Sequence, residues 1–426
     1  MLIAPAPTSN HTAADVDVIV LGAGPAGCLA SARLGQLGHR VLCVEKLFFP
    51  RHVIGESLLP RCNELLREAG LLAAVEARGY MRKHGATFLS GDRRERFAFA
   101  DALAGDQAWT FQVPRDDFDQ TLATEVRRQG VDLRFGHLVR AVAFEPDHAR
   151  VAVDDLELGR TINVRARFVL DCSGYGRVLP TLLQLEAPTG LPDRVASFTQ
   201  VENDDRPAGD EGGDIWVCRH PDDGWIWIIP FSNGRTSVGA VCAASYWDAQ
   251  PGTMQQKLQR YLSQESNAAT RLGGSAQVMG VREVRSYARV VSRMHGERWA
   301  VTGNAGDFLD PVFSSGVTLA LESANLAAGL VNRLFHGEPV DWERDYQVIM
   351  RGAVAVFRAF VKAWYDGRMA RLFFAPQKPP RIKRRITSIL AGSVRRADNP
   401  MVRDPDATLD ELCRMVVEHE AQSAPE

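Results

Sequence analysis

The chain has no run of about eighteen uncharged apolar residues, so no membrane-crossing helix is expected. Its seven cysteines (28, 43, 62, 172, 218, 242 and 413) are scattered and include no C-x-x-C pair. That pattern argues against a disulfide framework or a metal centre and suits a reducing cytoplasm. Neither charge dominates. Fifty Lys and Arg stand against 52 Asp and Glu, a net charge of −2, which gives no reason to expect nucleic acid as a partner. Residues 1–14 lack a basic start followed by an apolar core and read as a flexible tail rather than a signal peptide. No Ser-His-Asp order, zincin pattern or P-loop occurs, and there are no internal repeats. What remains is a chain of 426 residues, ample for one extended α/β domain or two joined ones.

Residues 17–21 (DVIVL) form a continuous apolar run of strand length. Gly22-Ala23-Gly24-Pro25-Ala26-Gly27 follows, then 28–37 at helical spacing, then 40–44 as a second strand ending at Glu45. This is a complete dinucleotide fingerprint. Gly22 permits the tight turn, Gly24 lets the backbone approach a pyrophosphate, and Gly27 lets helix and strand pack closely. Glu45 stands where an acid receives a ribose hydroxyl. Only one such fingerprint is present, so no second nicotinamide domain is expected.

Further on, 59–69 and 115–129 read as helices, 86–99 as a hairpin, and 131–135, 139–144, 151–153 and 167–170 as strands. From about 188 to 293 the texture changes to long strands with aromatics and few helices, at 197–201, 214–218, 225–230, 236–240 and 282–290. The α/β pattern returns at 299–302 with a short buried strand, a Gly-rich connection over 303–316 and an apolar helix from Val317. Free N–H groups at such a helix start suit an anionic group. The excursion and return imply a discontinuous α/β domain (15–187 and 294–335). An inserted β-rich domain (188–293) is joined by the hairpin near 83–100, and a helical region (336–426) follows, with helices at 342–369 and 381–390. The basic stretch 378–385 reads as a solvated helix start or a membrane-surface contact.

Gly224-Trp225-Ile226-Trp227-Ile228-Ile229-Pro230 fits W-x-W-x-I-P. Two tryptophans two apart on a strand face the same side, as a rigid wall or as core aromatics. Taken with the fingerprint and with Phe308-x-x-Pro311-x-x-Ser314-x-Gly316, the sequence resembles the flavin-dependent halogenases, within the wider class built like p-hydroxybenzoate hydroxylase. The likeness spans roughly residues 15–335. The fold this implies is α/β: a Rossmann-type FAD-binding domain, an inserted β-rich substrate domain and C-terminal helices.

The resemblance also implies a division of labour. FAD would be held by Gly22, Gly24, Ala26, Gly27, Glu45, Lys46, Arg51, Ile54, Ser57, Arg115, Gly303, Asn304 and Val317. A separate flavin reductase would supply it reduced. Chloride or bromide would sit on the backbone N–H groups of Ser315 and Gly316. Hypohalous acid would pass beside Trp225, Trp227 and Pro230 to a lysine that captures or orients it for attack on an electron-rich arene. Lys83, ahead of His84-Gly85-Ala86-Thr87-Phe88, fits that lysine, although an arbitrary lysine is usually a surface residue. His84 could tune its pKa or be structural. Glu56 lines the passage or holds the flavin loop, and Asp310 could cap the following helix.

Two departures from the family pattern bear on the substrate. Halogenases acting on the tryptophan indole place Glu two residues before the chloride-binding Ser/Thr, where this chain has Phe313. That change points away from free tryptophan and toward a phenol-like or pyrrole-like arene, free or on a carrier protein, as in natural-product or pigment biosynthesis. The wider class also has Gly-Asp at the ribityl turn, where this chain reads Gly303-Asn304. Asn still donates and accepts hydrogen bonds, so FAD binding is expected to survive. Two other readings stay open: a flavin monooxygenase or oxidoreductase without halogenating activity, and a non-enzymatic flavin-binding accessory.

Overall fold

The computed structural model describes residues 15–103, 105–222, 224–376 and 378–423; the tail expected at 1–14 lies outside them. Two eight-stranded sheets organise the described residues. The first runs His295–Gly296, Trp299–Val301, Arg160–Asp171, Asp15–Leu21, Val41–Val44, Asp132–Arg134. From Trp299–Val301 to Asp132–Arg134 neighbouring strands are parallel, and their central residues Val18, Ile19, Val20, Phe168, Val169 and Leu170 are fully buried. Burial on both faces explains why DVIVL reads as a continuous apolar run rather than an alternating one. Helices Pro25–Gln36 and Ser315–Phe335 pack against each other.

The second sheet runs Ala276–Gln277, Arg194–Glu202, Arg235–Ala243, Trp225–Pro230, Ile215–Arg219, Gly85–Ser90, Arg93–Ala98, with Arg282–Arg285 paired to Arg194–Glu202. The early hairpin therefore completes a sheet whose other strands all come from residues 194–285, through parallel pairing of Gly85–Ser90 with Ile215–Arg219. Alternation along Trp225–Pro230 divides its two faces. Trp225, Trp227 and Ile229 belong to the main core, while Ile226 and Ile228 join a second core with Val238, Leu258 and Tyr261.

That second core corrects one expectation. The 188–293 segment has three helices, Ala244–Ala249, Met254–Gln264 and Ser266–Leu272, which pack on the outer face of the sheet. Thr253 caps the middle helix reciprocally with Gln256, and Leu258 and Tyr261 point inward one turn apart. The strand expected at 282–290 is two strands, Arg282–Arg285 and Val290–Val291, because Ser286 takes a left-handed backbone at φ 47°. The helix expected over 342–369 opens with a π-turn at Glu343–Gln347, runs as Val348–Tyr365, and breaks at Gly367 (φ 87°) before Arg368–Phe373. All seven cysteines are free and buried. Among the described residues no helix is long and apolar enough to cross a membrane, and no group of His, Cys, Asp or Glu could hold a metal ion.

Candidate active site

Parallel sheets present ligand sites beyond the carboxyl ends of their strands. Here the strands ending at Leu21, Asp171 and Val301 are adjacent, with Leu21 opposite Asp171 and Asp171 opposite Val301. The turns that follow them supply Gly24, Cys172, Ser173, Gly174, Thr302 and Asn304 to one wall of a cavity of about 640 Å³. Gly22 takes φ 97°, and a Cβ on Gly27 would lie 1.8 Å from the Gly22 carbonyl oxygen, so the turn, helix and strand are in closest contact. Gly24 faces the cavity, where a Cβ would come within 3.1 Å of Arg51 Nη2. The Glu45 carboxylate lines the same end and accepts from the backbone N–H groups of Ala23 and Leu47, each at 3.0 Å.

Arg51, Ile54, Ser57 and Arg115 line the next stretch of wall, with Lys46 nearer Glu45. One carboxylate fixes both arginines. Asp119, fully buried one turn along helix Arg115–Arg128, accepts from Arg115 Nε at 2.8 Å and Nη2 at 3.0 Å, and from Arg51 Nη2 at 3.1 Å. Arg115 Nη1 also donates to the Ile54 carbonyl at 2.9 Å and shapes that loop. The sequence reading missed the group that holds the opposite turn. Arg177 donates through Nη1 to the carbonyls of Ala305 and Gly306 at 2.9 and 3.0 Å, while Nε and Nη2 clamp Glu186. Its backbone is left-handed (φ 44°), an unusual conformation for arginine directly after Gly-Tyr-Gly. Tyr175, also unforeseen, lines the cavity and packs edge-on against Phe308 at 5.5 Å. The small-residue turn Asp171-Cys-Ser-Gly174 at a strand end was the available signal.

Trp225 and Trp227 are almost fully buried, with ring centroids 5.8 Å apart, yet both line the cavity. Each indole N–H is spoken for. Trp227 Nε1 donates to Ser237 Oγ at 3.1 Å, and Trp225 Nε1 to Tyr365 Oη at 3.0 Å. Tyr365 Oη donates in turn to Asp310 Oδ2 at 2.8 Å, as Tyr287 Oη does at 2.9 Å. Burial pushes the Asp310 carboxyl above its usual range, against the lowering effect of these two donors. Asp310 also accepts from the Val312 N–H, so the cap expected of it is present, on the turn Pro311–Phe313.

Lys83 is not a surface residue. It ends the short strand Met81–Lys83, paired with Thr110–Gln112, and is 1 % exposed. Its Nζ donates to Ser57 Oγ and to the Leu58 carbonyl, both at 2.9 Å, with the Phe99 ring 5.3 Å away. Burial lowers the amine's pKa from 10.5 to about 7, opposed by the charge of Asp214. Ser57 lines the cavity and Lys83 stands directly behind it. Glu56, next in the same loop, is buried and raised by burial to about 7, with Ser237 and Gln200 hydrogen-bonding to it. It lines the cavity and shares Ser237 with Trp227, so it belongs to the wall.

At the far end, Ser314 adopts φ 57° and opens helix Ser315–Phe335, whose first-turn N–H groups have no partner within the helix. Gly316 and Val317 reach the cavity wall with Ser314 and Pro311. Ser315, Gly27, Gly303 and Pro230 are buried and Gly22 half-buried, and none of the five lines the cavity. Phe313, at the position noted for its missing carboxylate, is packed among Phe88, Phe360, Trp364 and Phe373 at ring distances of 5.7–6.5 Å.

These walls suit FAD. A pyrophosphate would lie against Gly24 at the start of helix Pro25–Gln36, with Arg51 beside it. The buried Arg51 Nε has no partner among the described residues, which leaves it a donor for such an anion. Glu45 would receive the ribose, and Asn304 lines the cavity from the turn opposite.

A family model described as an FAD binding domain matches residues 15–341. The chain is 27 % identical over 415 residues to the 1H-pyrrole-2-carbonyl-[peptidyl-carrier protein] chlorinase of Pseudomonas fluorescens, covering 91 % of this chain and 90 % of that one. It is 30 % identical to the tryptophan 2-halogenase of Chondromyces crocatus over 82 % of this chain and 67 % of that one. A solved flavoprotein/dehydrogenase from Cytophaga hutchinsonii superposes with a TM-score of 0.92 at 41 % identity, over 96 % of this chain and all of the other. With an FAD-binding model over most of its length and halogenases among its relatives, the chain belongs to the flavin-dependent halogenases.

Proposed function

We propose that this enzyme halogenates a phenolic or pyrrole-like arene delivered on a carrier protein, with FAD reduced by a separate reductase. When bound, reduced FAD would supply two electrons to O₂, whose reduction drives the oxidation of halide to hypohalous acid. Halide, O₂, reduced FAD, a proton and the arene give the aryl halide, FAD and two waters. The first-turn N–H groups at Ser315 and Gly316 hold the halide. Trp225 and Trp227 exclude the arene from the cavity, so that oxygen is not inserted directly. Lys83 receives the oxidant. A neutral amine has two N–H groups, which match the two acceptors Ser57 Oγ and Leu58 O and leave the nitrogen lone pair for the electrophilic halogen. Carrier-borne pyrroles are named for two relatives, the chlorinase above and a brominase of Pseudoalteromonas luteoviolacea. Phe313 in place of a carboxylate agrees with an arene that stabilises its own cationic intermediate.

The observation that carries this reading is the buried amine of Lys83, hydrogen-bonded to Ser57 Oγ at 2.9 Å and so one hydroxyl behind the cavity wall. Its test is mass spectrometry of products formed with a flavin reductase, bromide, and a panel of phenols and pyrrolyl thioesters. The bromine isotope doublet is expected with the wild type and is lost in Lys83→Ala, with FAD affinity and flavin reoxidation retained. A hydroxylated or desaturated product without bromine, or undiminished bromination by Lys83→Ala, overturns it.

A further inference from the structure

Oxidising halide consumes a proton. Reduced FAD, O₂, halide and one proton give FAD, hypohalous acid and water, and the arene takes no part in that stage. A group that supplies this proton must line the cavity, keep its proton near neutral pH, and stand close to where halide is held.

Residues 55–57 meet those conditions. Gly55 (φ 101°) lies toward the halide end, where a Cβ would be 3.0 Å from Arg115 Nη1 and 4.0 Å from Val317 Cγ2, in the first turn of helix Ser315–Phe335. Ser57 is the acceptor of the Lys83 amine. Between them Glu56 lines the cavity, 3 % exposed, with its backbone carbonyl accepting from the Val113 N–H at 2.7 Å. The loop thus sets one carboxyl between the proposed halide corner and the proposed receiver of the oxidant.

The hydrogen-bonding neighbours of that carboxyl are neutral, Ser237 and Gln200. Ser237 Oγ already accepts from Trp227 Nε1 at 3.1 Å, which leaves its own O–H to donate to Glu56. Arg115, the cation that acts on Glu56, spends Nε and Nη2 on Asp119 and Nη1 on the carbonyls of Ile54 and Gly55. A carboxyl buried among neutral partners holds its proton. Burial raises the Glu56 pKa from 4.5 to about 7, against the lowering effects of Ser237 and Arg115. The charged groups acting on it, Arg115 and Asp116, both belong to helix Arg115–Arg128. Strands Arg194–Glu202 and Arg235–Ala243 present Gln200 and Ser237, and Lys83 stands behind Ser57.

We propose that the Glu56 carboxyl is the general acid of halide oxidation. This rests on the halogenating reading above and names its proton donor. The halide's electron pair forms the halogen–oxygen bond, the oxygen–oxygen bond breaks, and the oxygen left behind takes the Glu56 proton on its way to water. The carboxylate then accepts the Ser237 O–H, with Trp227 Nε1 behind it, and regains a proton from solvent before the next cycle.

Glu56→Gln keeps the side chain's shape and its acceptor toward Ser237 but has no acidic proton. The first measurement is urea unfolding of the full chain without flavin, wild type against variant, between about pH 5 and 7. There the folded carboxyl holds a proton that the unfolded chain has lost, so the wild-type unfolding constant should rise about tenfold per pH unit relative to the variant. The second uses chemically reduced FAD, O₂ and bromide with no arene, trapping hypobromite on a 1,3-diketone and counting hydrogen peroxide beside it. With no arene present, transfer through Lys83 does not enter the yield. The wild-type hypobromite yield should fall above about pH 7, and the variant should make about tenfold less or lower at about pH 6, with peroxide in its place. A ratio of unfolding constants that does not change with pH overturns the proposal, because the carboxyl is then charged in the folded protein. So does hypobromite from the variant at the wild-type yield and pH dependence. If the variant does not fold, the wild type decides alone, and a yield that stays level up to about pH 9 overturns the proposal. Absence of hypobromite from the wild type at every pH overturns the halogenase reading instead.

Discussion

Replacing Lys83 by Met keeps the length of the side chain and removes its charge. In the folded protein the amine titrates at about 7 because it is buried, against 10.5 for an ordinary lysine. Between those values the unfolded chain holds a proton that the folded chain has released, so wild-type stability must rise with pH. Below about pH 7 both states are protonated and the full penalty applies; above the ordinary lysine value it is gone. At about 1.36 kcal/mol for each pH unit, wild type gains about 2.7 kcal/mol between about pH 7.5 and 9.5 that Lys83→Met does not. The variant also leaves Ser57 Oγ and the Leu58 carbonyl without their donor, a loss of about 1–3 kcal/mol. That loss does not depend on pH and cancels in the comparison. The assay is equilibrium urea unfolding of both proteins at the two pH values, read as the change in their stability difference. A difference that stays constant would mean that the amine is hydrated, and the argument for a neutral nucleophile would fail with it. The same group predicts a rising limb in kcat/KM near pH 7 for bromination, whereas a catalytic ammonium would give a falling one.

Glu45→Ala removes the acceptor of two backbone N–H groups and of the expected ribose hydroxyl; FAD affinity should fall by about 10- to 100-fold, at about 1.5–3 kcal/mol for charged hydrogen bonds. Flavin fluorescence titration measures this, and an unchanged affinity would detach Glu45 from the cofactor. Tyr365→Phe frees Trp225 Nε1 and one donor to Asp310, and should lower stability by about 1–3 kcal/mol while raising peroxide release per bromination. Peroxide and product counted together decide it, and unchanged coupling would mean that the indole is held by packing alone.

The parts of this protein that were legible in the sequence are those whose signal is local. Gly22, Gly24, Gly27 and Glu45 lie within one strand–turn–helix–strand unit, so spacing alone specifies their geometry. The W-x-W pair was legible for the same reason, since strand alternation puts both indoles on one face. Arg177 and Glu186 were not, because an arginine that ties a turn more than a hundred residues away carries no periodic mark. The helices between 244 and 272 escaped because they are short and bury few large side chains on a sheet that dominates the local composition. The depth of Lys83 is a tertiary property: a three-residue strand says nothing of which residues will cover it.

The first sheet sets the order in which this molecule can be made. Asp15–Leu21 pairs with residues 165–171, and those with 299–301, so a ribosome must release some three-quarters of the chain before the central strands have both neighbours. Contacts of such wide separation form slowly and leave apolar strands uncovered meanwhile. The cofactor pocket, walled by turns from all three segments, is therefore a late product of synthesis. Expression at reduced temperature, with chaperones and flavin in supply, should decide how much of the polypeptide survives to carry FAD.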